Sequence, residues 1–201
     1  MLPVRSKYKI AKRLGASVFE QTQTQKFALS EARSKKERRG GRGGSDYGRQ
    51  LLEKQRVRFT YGLSERQLSN YAQDAVGQKD PSGALHRSLE LRADSVLYRS
   101  GFASTRRAAR QALSHGHMKV NGVRVTRPSL RLKKGDKLEV REGVRSSGLY
   151  AGLAEKEDKR PLPSWLSADA NLLTIEVMGE PQYNQMEAGL DYPTVFEFYS
   201  R

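Results

Sequence analysis

Apolar residues recur at helical spacing through the first half of the chain. In "LSERQLSNYAQDAV", Leu68, Tyr71, Ala72, Ala75 and Val76 fall on one stripe, the period of a half-buried helix. Ser64 and Gln67 form an S-x-x-Q capping box at its start, and Leu63 with Leu68 forms a hydrophobic staple. The preceding "SDYGRQLLEKQRVRF" predicts a basic helix with Leu51 and Leu52 facing inward. Asp80 followed by Pro81 predicts an N-cap and first helical residue. That helix is expected to run toward Arg99 with Leu85, Leu89, Ala93, Val96 and Leu97 inward, and to break at Gly101 in "SGFAS". A further helix from about Thr105 to Ser114 buries Ala108, Ala109, Ala112 and Leu113, and Gly116 ends it.

The period then changes from helix to strand. In "KVNGVRV", Asn121–Gly122 between two alternating runs predicts a two-residue β-turn. It pairs Val120 with Val123 and Met118 with Val125 on one face, and sets Lys119 opposite Arg124 on the other. Like charges across a strand pair are destabilising, which points to an anion between them. A second pair of short strands is expected at "SLRL" and "KLEVRE", joined by the turn "KKGD". Residues 151–164, with Pro161 and Pro163, read as a connector. Beyond Trp165, "LLTIEVM" and "TVFEFYS" alternate as strands of a small acidic lobe.

Charge narrows the partners. With 201 residues the chain suffices for one or two domains, but 36% apolar and 29% charged residues imply a modest core. A net charge of +15 is the footprint of a nucleic-acid binder. An anionic membrane surface is the competing partner, although no run of 18 apolar residues could span a bilayer. The charge is uneven: residues 1–60 carry 16 Lys/Arg against 5 Asp/Glu, and residues 61–150 carry 17 against 8. Residues 151–201 reverse the sign, with 4 against 9, so one end of the chain repels phosphate while the rest attracts it.

Cysteine is absent and there are three histidines, so disulfides and thiolate zinc sites are excluded, and neither metal nor cofactor is expected. The N-terminus lacks the apolar segment of a secretory signal. Residues 1–19 contain no acid, which suits an organellar transit peptide or a basic RNA-binding arm. The tract "RSKKERRGGRGG" (33–44) reads as a solvated linker that orders on RNA.

The densest candidate chemistry is "STRRAARQALSHGH". Arg106, Arg107 and Arg110 crowd the first turns of a helix whose macrodipole is already positive there. Arg106 and Arg110 are also an i, i+4 like-charge pair, a cost of a few tenths of a kcal/mol. Residues 99–119 contain no acid, which favours phosphate binding over a solvated mixed-sign face. Lys119 and Arg124 adjoin this terminus and are expected to serve the same RNA groove. On this reading, replacing Arg106 and Arg110 by Ala leaves stability equal or slightly raised. His115 and His117 flank Gly116; stacking or hydrogen bonding on RNA, or simple helix-end and strand-surface placement, both remain open. None of the G-x-x-x-x-G-K-[ST], G-x-S-x-G or H-E-x-x-H patterns occurs, and the chain is not expected to be an enzyme.

"ADSVLYRSGFASTRRAARQALSHGHMKVNGVRV" resembles the helix–turn–helix plus hairpin RNA-binding module named after small-subunit ribosomal protein four. That module also occurs in some tRNA synthetases, pseudouridine synthases and a heat-shock RNA-binding protein. A synthetase or pseudouridine synthase would need a much larger catalytic domain, and a free RNA chaperone is the nearer rival. The flanks "SDYGRQLLEKQRVRFTYGLSERQLSNY", "PSWLSADANLLTIEV" and "VFEFYS" are similar to the ribosomal family's own segments, over residues 45–201. The resemblance implies an α+β fold: a split, mainly helical domain (45–88 with 151–201, the latter carrying an acidic C-terminal lobe), an inserted RNA-binding module (89–150) and a flexible basic N-terminal arm (1–44). It implies binding of small-subunit rRNA at a junction in its 5′ region, nucleation of body assembly, and a place in the cytoplasmic or organellar ribosome. The expected partners are small-subunit proteins three and five and mRNA near its entry path, with influence on decoding accuracy through protein five and no small-molecule substrate. Family members often carry four zinc-binding cysteines near the N-terminus; their absence marks a zinc-free variant. Expected rRNA contacts are Ser104, Thr105, Arg106, Arg107, Arg110, His115, Lys119 and Asn121, with Arg124 from the hairpin argument. Arg42, Arg49 and Lys54 are expected near the mRNA entry side.

Overall fold

The computed structural model describes residues 4, 6–37, 45–150, 153 and 161–200, the side chains of 34–37 excepted. The N-terminal part is helical: α1 (Lys7–Leu14) ends at Gly15, two single 3₁₀ turns follow, and α2 spans Gln25–Glu37. Next come α3 (Asp46–Thr60), α4 (Glu65–Val76), α5 (Pro81–Glu90), α6 (Ala93–Arg99) and α7 (Arg106–Ser114). Strands β1 (Met118–Val120), β2 (Val123–Val125), β3 (Lys137–Val140), β4 (Leu166–Asp169) and β5 (Thr174–Val177) precede α8 (Gln185–Ala188) and α9 (Tyr192–Tyr199). The fold is therefore α+β. It divides into two compact units, Met1–Leu85 with Tyr183–Arg201, and His86–Gln182.

In the first unit, residues 6–37 are not the flexible arm that their charge suggested. Ala11, Leu14, Val18, Phe19 and Phe27 close a small apolar core, against which Leu52 and Phe59 of α3 pack. The Arg56 Nε donates to the Leu14 carbonyl at 2.9 Å, satisfying an orphan acceptor at the end of α1. The inner face of α3 is Gln50, Lys54 and Val57 rather than Leu51 and Leu52, which are only half-buried. The capping box of α4 forms in both directions, at 3.2 and 3.1 Å. Leu68, Ala72 and Ala75 are buried as expected, whereas Val76 is exposed.

The expected strand "TVFEFYS" is instead helix α9. Asp191 caps it, its carboxylate accepting from the Thr194 N–H, and a proline occupies the first turn. These are start signals that an alternating apolar run conceals. The Tyr192 hydroxyl lies 3.4 Å from that of Tyr61 in α3's C-terminal cap.

The single helix expected from Pro81 to Arg99 is two, broken at Leu91–Arg92. The break frees backbone groups for a different partner. Leu132 N–H donates to the Leu91 carbonyl and Ala93 N–H to the Leu130 carbonyl, both at 2.8 Å. The segment "SLRL" is thereby held beside the helix break through one isolated bridge, Arg92 to Arg131, and does not pair with "KLEVRE". Strand β3 pairs β1 and β5 instead, giving one antiparallel sheet of order β2-β1-β3-β5-β4. Residues 166–177, expected with the C-terminal lobe, thus join the second unit, and its bounds differ from the 89–150 read from sequence. One face of the sheet, with Met118, Leu138, Val140, Ile175 and Val177, packs on Val96, Leu97, Ala109 and Leu113 of α6 and α7.

Candidate nucleic-acid interface

The hairpin has the register expected from the sequence: Met118 opposite Val125, Lys119 opposite Arg124, Val120 opposite Val123. Asn121 and Gly122 sit at φ 50° and 81°, the two left-handed positions of a type I′ turn. Upstream, Gly101 at φ 84° turns the chain from α6 into α7. Thr105 caps α7 by accepting from the Ala108 N–H at 3.0 Å, so its hydroxyl holds the helix start. Ser104 and Arg107 are exposed beside it.

Arg106 and Arg110 are not poised for an external anion in the way their spacing suggested. Two buried carboxylates from the preceding helices reach them. Glu90 receives a two-pronged bond from Arg99 (2.8 and 2.8 Å) and a third from Arg106 at 3.3 Å. Asp94 receives the fork of Arg92 (2.9 and 2.7 Å) and both Nε and a terminal nitrogen of Arg110 (3.1 and 2.8 Å). Arg106 also donates to the Ser95 hydroxyl and lies 4.6 Å from the Tyr98 ring centroid. Burial by itself would raise the Glu90 pKa, but Arg106 and Arg99 outweigh it and hold the carboxyl well below its usual range. One turn away, burial lowers the His86 pKa; Glu90 opposes that, and Arg99, Arg106 and Arg87 reinforce it.

The face-to-face cations of the hairpin are likewise answered from within. On the other side of β1, Lys119 is opposite Glu139, and its Nζ is 3.7 Å from Glu142. Arg124 folds back to donate to the His115 carbonyl at 3.2 Å. There its guanidinium lies against Gly116, at φ 68°, where a Cβ would overlap it. Each of the two cations thus has a partner within the fold, and their pairing needs no external anion to account for it. His115 and His117 meet edge to face at 5.8 Å, and the Tyr150 hydroxyl lies 3.4 Å from His117 Nδ1. Burial, then His115 and Arg141, lower the His117 pKa. Asn121 is engaged through both side-chain polar atoms. Its Nδ2 donates to Asp136 and its Oδ1 accepts from the Lys137 N–H, each at 2.9 Å.

In the first unit, Arg49 is exposed and 3.4 Å from Asp46. Lys54 is buried, 2.6 Å from Glu65 and 4.1 Å from the Phe198 ring centroid, which removes it from a surface role. Arg42 lies outside the described residues. Among the described residues no group of His, Asp and Glu could hold a metal, and no helix is long and apolar enough to cross a membrane.

Two family models match successive parts of the chain: the "Ribosomal protein S4/S9 N-terminal domain" matches residues 4–91, and the "S4 domain" residues 91–138. The small ribosomal subunit protein uS4 of Borrelia turicatae is 37% identical over 98% of this chain and 96% of its own length. The uS4 proteins of Lachnospira eligens and Mycobacterium avium are 41% and 43% identical, over 83% and 78% of this chain and 85% and 79% of their own. The chain belongs to the uS4 family.

Within this uS4 chain, sequence reasoning found the helix–turn–helix and the hairpin but missed Glu90, Asp94, Arg92 and Arg99. Their signal was present, though weak: "ELRAD" puts two acids and an arginine around the point where the helix breaks. Nothing local says that the acids face a helix 16 residues on.

Proposed function

We propose that this uS4-family protein is a structural constituent of the small ribosomal subunit that binds its rRNA through the α6–α7–hairpin module. The observation that carries the reading is full-length kinship: relatives named as uS4 align over nearly the whole chain, and the two family models together match residues 4–138. An rRNA-binding role also fits the excess of Lys and Arg over residues 61–150. The residues proposed to build the rRNA-binding surface remain Ser104, Thr105, Arg106, Arg107, Arg110, His115, Lys119, Asn121 and Arg124. Of these, the exposed Ser104, Arg107, His115 and Arg124 are the direct contacts. Thr105 and Asn121 act by fixing the backbone around them.

The finer parts of the proposal follow the family. The protein nucleates assembly of the subunit body, lies near the mRNA entry path beside proteins three and five, and contributes to accuracy with protein five. Its place is the ribosome, in the cytoplasm or an organelle, and its role is structural rather than catalytic. The test is capture of total cellular RNA on the purified protein at moderate salt, with sequencing of protected fragments. Protection of one discrete junction in small-subunit rRNA is expected. Fragments scattered over tRNA and large-subunit rRNA would overturn the ribosomal reading in favour of a free RNA chaperone.

A further inference from the structure

Between Lys119 and Leu138 the chain has seven Lys/Arg and one acid, Asp136. That acid is occupied in building the backbone. Its Oδ1 accepts from Asn121 Nδ2 at 2.9 Å and its Oδ2 from the Lys133 N–H at 2.7 Å. Two tight turns are thereby fastened side by side: the hairpin tip Asn121–Gly122, and the turn Lys133–Asp136, closed by the Asp136 N–H on the Lys133 carbonyl at 3.0 Å. A backbone bond ties the pair further, from the Asn121 N–H to the Lys137 carbonyl (2.9 Å), and the Gly135 N–H anchors the second turn on the Val177 carbonyl of β5 (2.8 Å). Gly135, at φ 88°, supplies the left-handed residue such a turn needs.

The cations this frame carries are unlike those of α7. Arg106 and Arg110 are largely buried on carboxylates, Lys119 is near Glu142, and Lys137 is near Glu176 at 3.5 Å. Lys133 and Lys134 are exposed, and among the described residues no carboxylate lies within ion-pair distance of either. The exposed Val123 begins the strand that leaves the same tip. Two neighbouring ammonium groups on a rigid turn repel each other, and among the described residues no ion pair compensates them. An external polyanion does, with little ordering cost because the backbone is already fixed.

We propose that the joined turns 121–122 and 133–136 form a second RNA-contacting surface of this unit, in which Lys133 and Lys134 neutralise backbone phosphates. This rests on the RNA-binding reading above. The chemistry recognised is the phosphate backbone and not a base edge, since lysine is a point charge with no planar fork.

The experiment measures binding of the full chain to a small-subunit rRNA fragment and to a large-subunit fragment of equal length, as a function of salt. For Lys133→Ala with Lys134→Ala, the slope of log affinity against log salt is expected to fall by about 1.5 on the preferred RNA, at roughly 0.7–0.9 per phosphate lost. Affinity at moderate salt is expected to drop about tenfold with it. The unfolding midpoint should stay put, and Lys133→Arg with Lys134→Arg should restore the slope. An alanine variant with the wild-type slope and affinity on both RNAs overturns the proposal. Absence of preference between the two RNAs in the wild type overturns the ribosomal reading instead, while the slope comparison still decides the lysines.

Discussion

Replacing Arg106 and Arg110 together by Ala sets two estimates of opposite sign against each other. If the arginines are merely crowded cations, their removal relieves an i, i+4 repulsion of about 0.2–0.5 kcal/mol and a helix-terminus term of about 0.3–1 kcal/mol. The protein would then be unchanged or slightly more stable. The structure adds a larger quantity. Arg110 gives Asp94 two bonds beside the two from Arg92, and Arg106 gives Glu90 one beside the two from Arg99. Both acids keep a second arginine, Arg92 or Arg99, so the loss is smaller than the 3–5 kcal/mol of a buried charge stripped of its partner. Taking about 1.5–2 kcal/mol for each arginine's charge-assisted bonds, the loss is about 3–4 kcal/mol. After the relief terms, a net destabilisation of about 2–3 kcal/mol remains. In urea unfolding followed by circular dichroism, that is a midpoint lower by about 1 M for a slope of about 2–3 kcal/mol/M. Lys134→Ala, at an exposed lysine that takes no part in these ion pairs, is the control and should move by under about 0.5 kcal/mol. A double variant with an unchanged or raised midpoint would refute the claim that Glu90 and Asp94 use these arginines to hold α7.

Lys54→Ala takes the buried ammonium from Glu65, a half-exposed carboxylate that keeps Arg58 at 3.6 Å, and should destabilise by about 1–2 kcal/mol, while the salt slope of RNA binding stays at its wild-type value; a lowered slope would return Lys54 to the RNA. Gly116→Ala forces a Cβ into the left-handed region and against Arg124, and a loss of about 1–3 kcal/mol is expected from thermal unfolding; an unchanged midpoint would refute both the backbone strain and the contact with Arg124. The depressed His86 pKa means that the unfolded chain takes up this proton first, so its contribution is intact above about pH 6.5 and lost as pH falls through the lower folded value. Urea midpoints between pH 8 and 5 should therefore decline, and His86→Gln should flatten that decline; an identical profile in the variant would exclude His86 as the cause.

What was legible in the sequence was local. The α4 capping box involves residues three apart, and the hairpin turns on Asn121 and Gly122, whose tolerance of positive φ is intrinsic. Elements decided by distant partners were misread. The run "VFEFY" alternates like a strand and masks the local start signals of Asp191 and Pro193, while the Tyr61 that meets Tyr192 lies 131 residues away. Lys54 reads as one more cation on a basic helix until Glu65 and Phe198, the latter from the far end of the chain, enclose it. The absence of acids over residues 99–119 was correctly seen but wrongly bounded. The two carboxylates that matter lie just upstream, brought to α7 by a helix break that composition does not announce.

A net charge of +15 counts every cation once, yet the fold has already committed some of them. Arg92, Arg106 and Arg110, with side-chain exposures of 2, 12 and 18%, are largely removed from solvent, where added salt screens an ion pair weakly. Lys133 and Lys134 face water, where their field is screened within about 8–10 Å at ordinary ionic strength. Salt therefore separates the two populations. Raising it should leave the stability supplied by the buried arginines nearly constant, while it weakens attraction of the exposed lysines for RNA through counterion release. If the arginines instead carried most of the RNA affinity, their removal would flatten the salt dependence of binding without lowering stability. The two measurements on the same pair of variants thus decide which cations belong to the fold and which to the ligand.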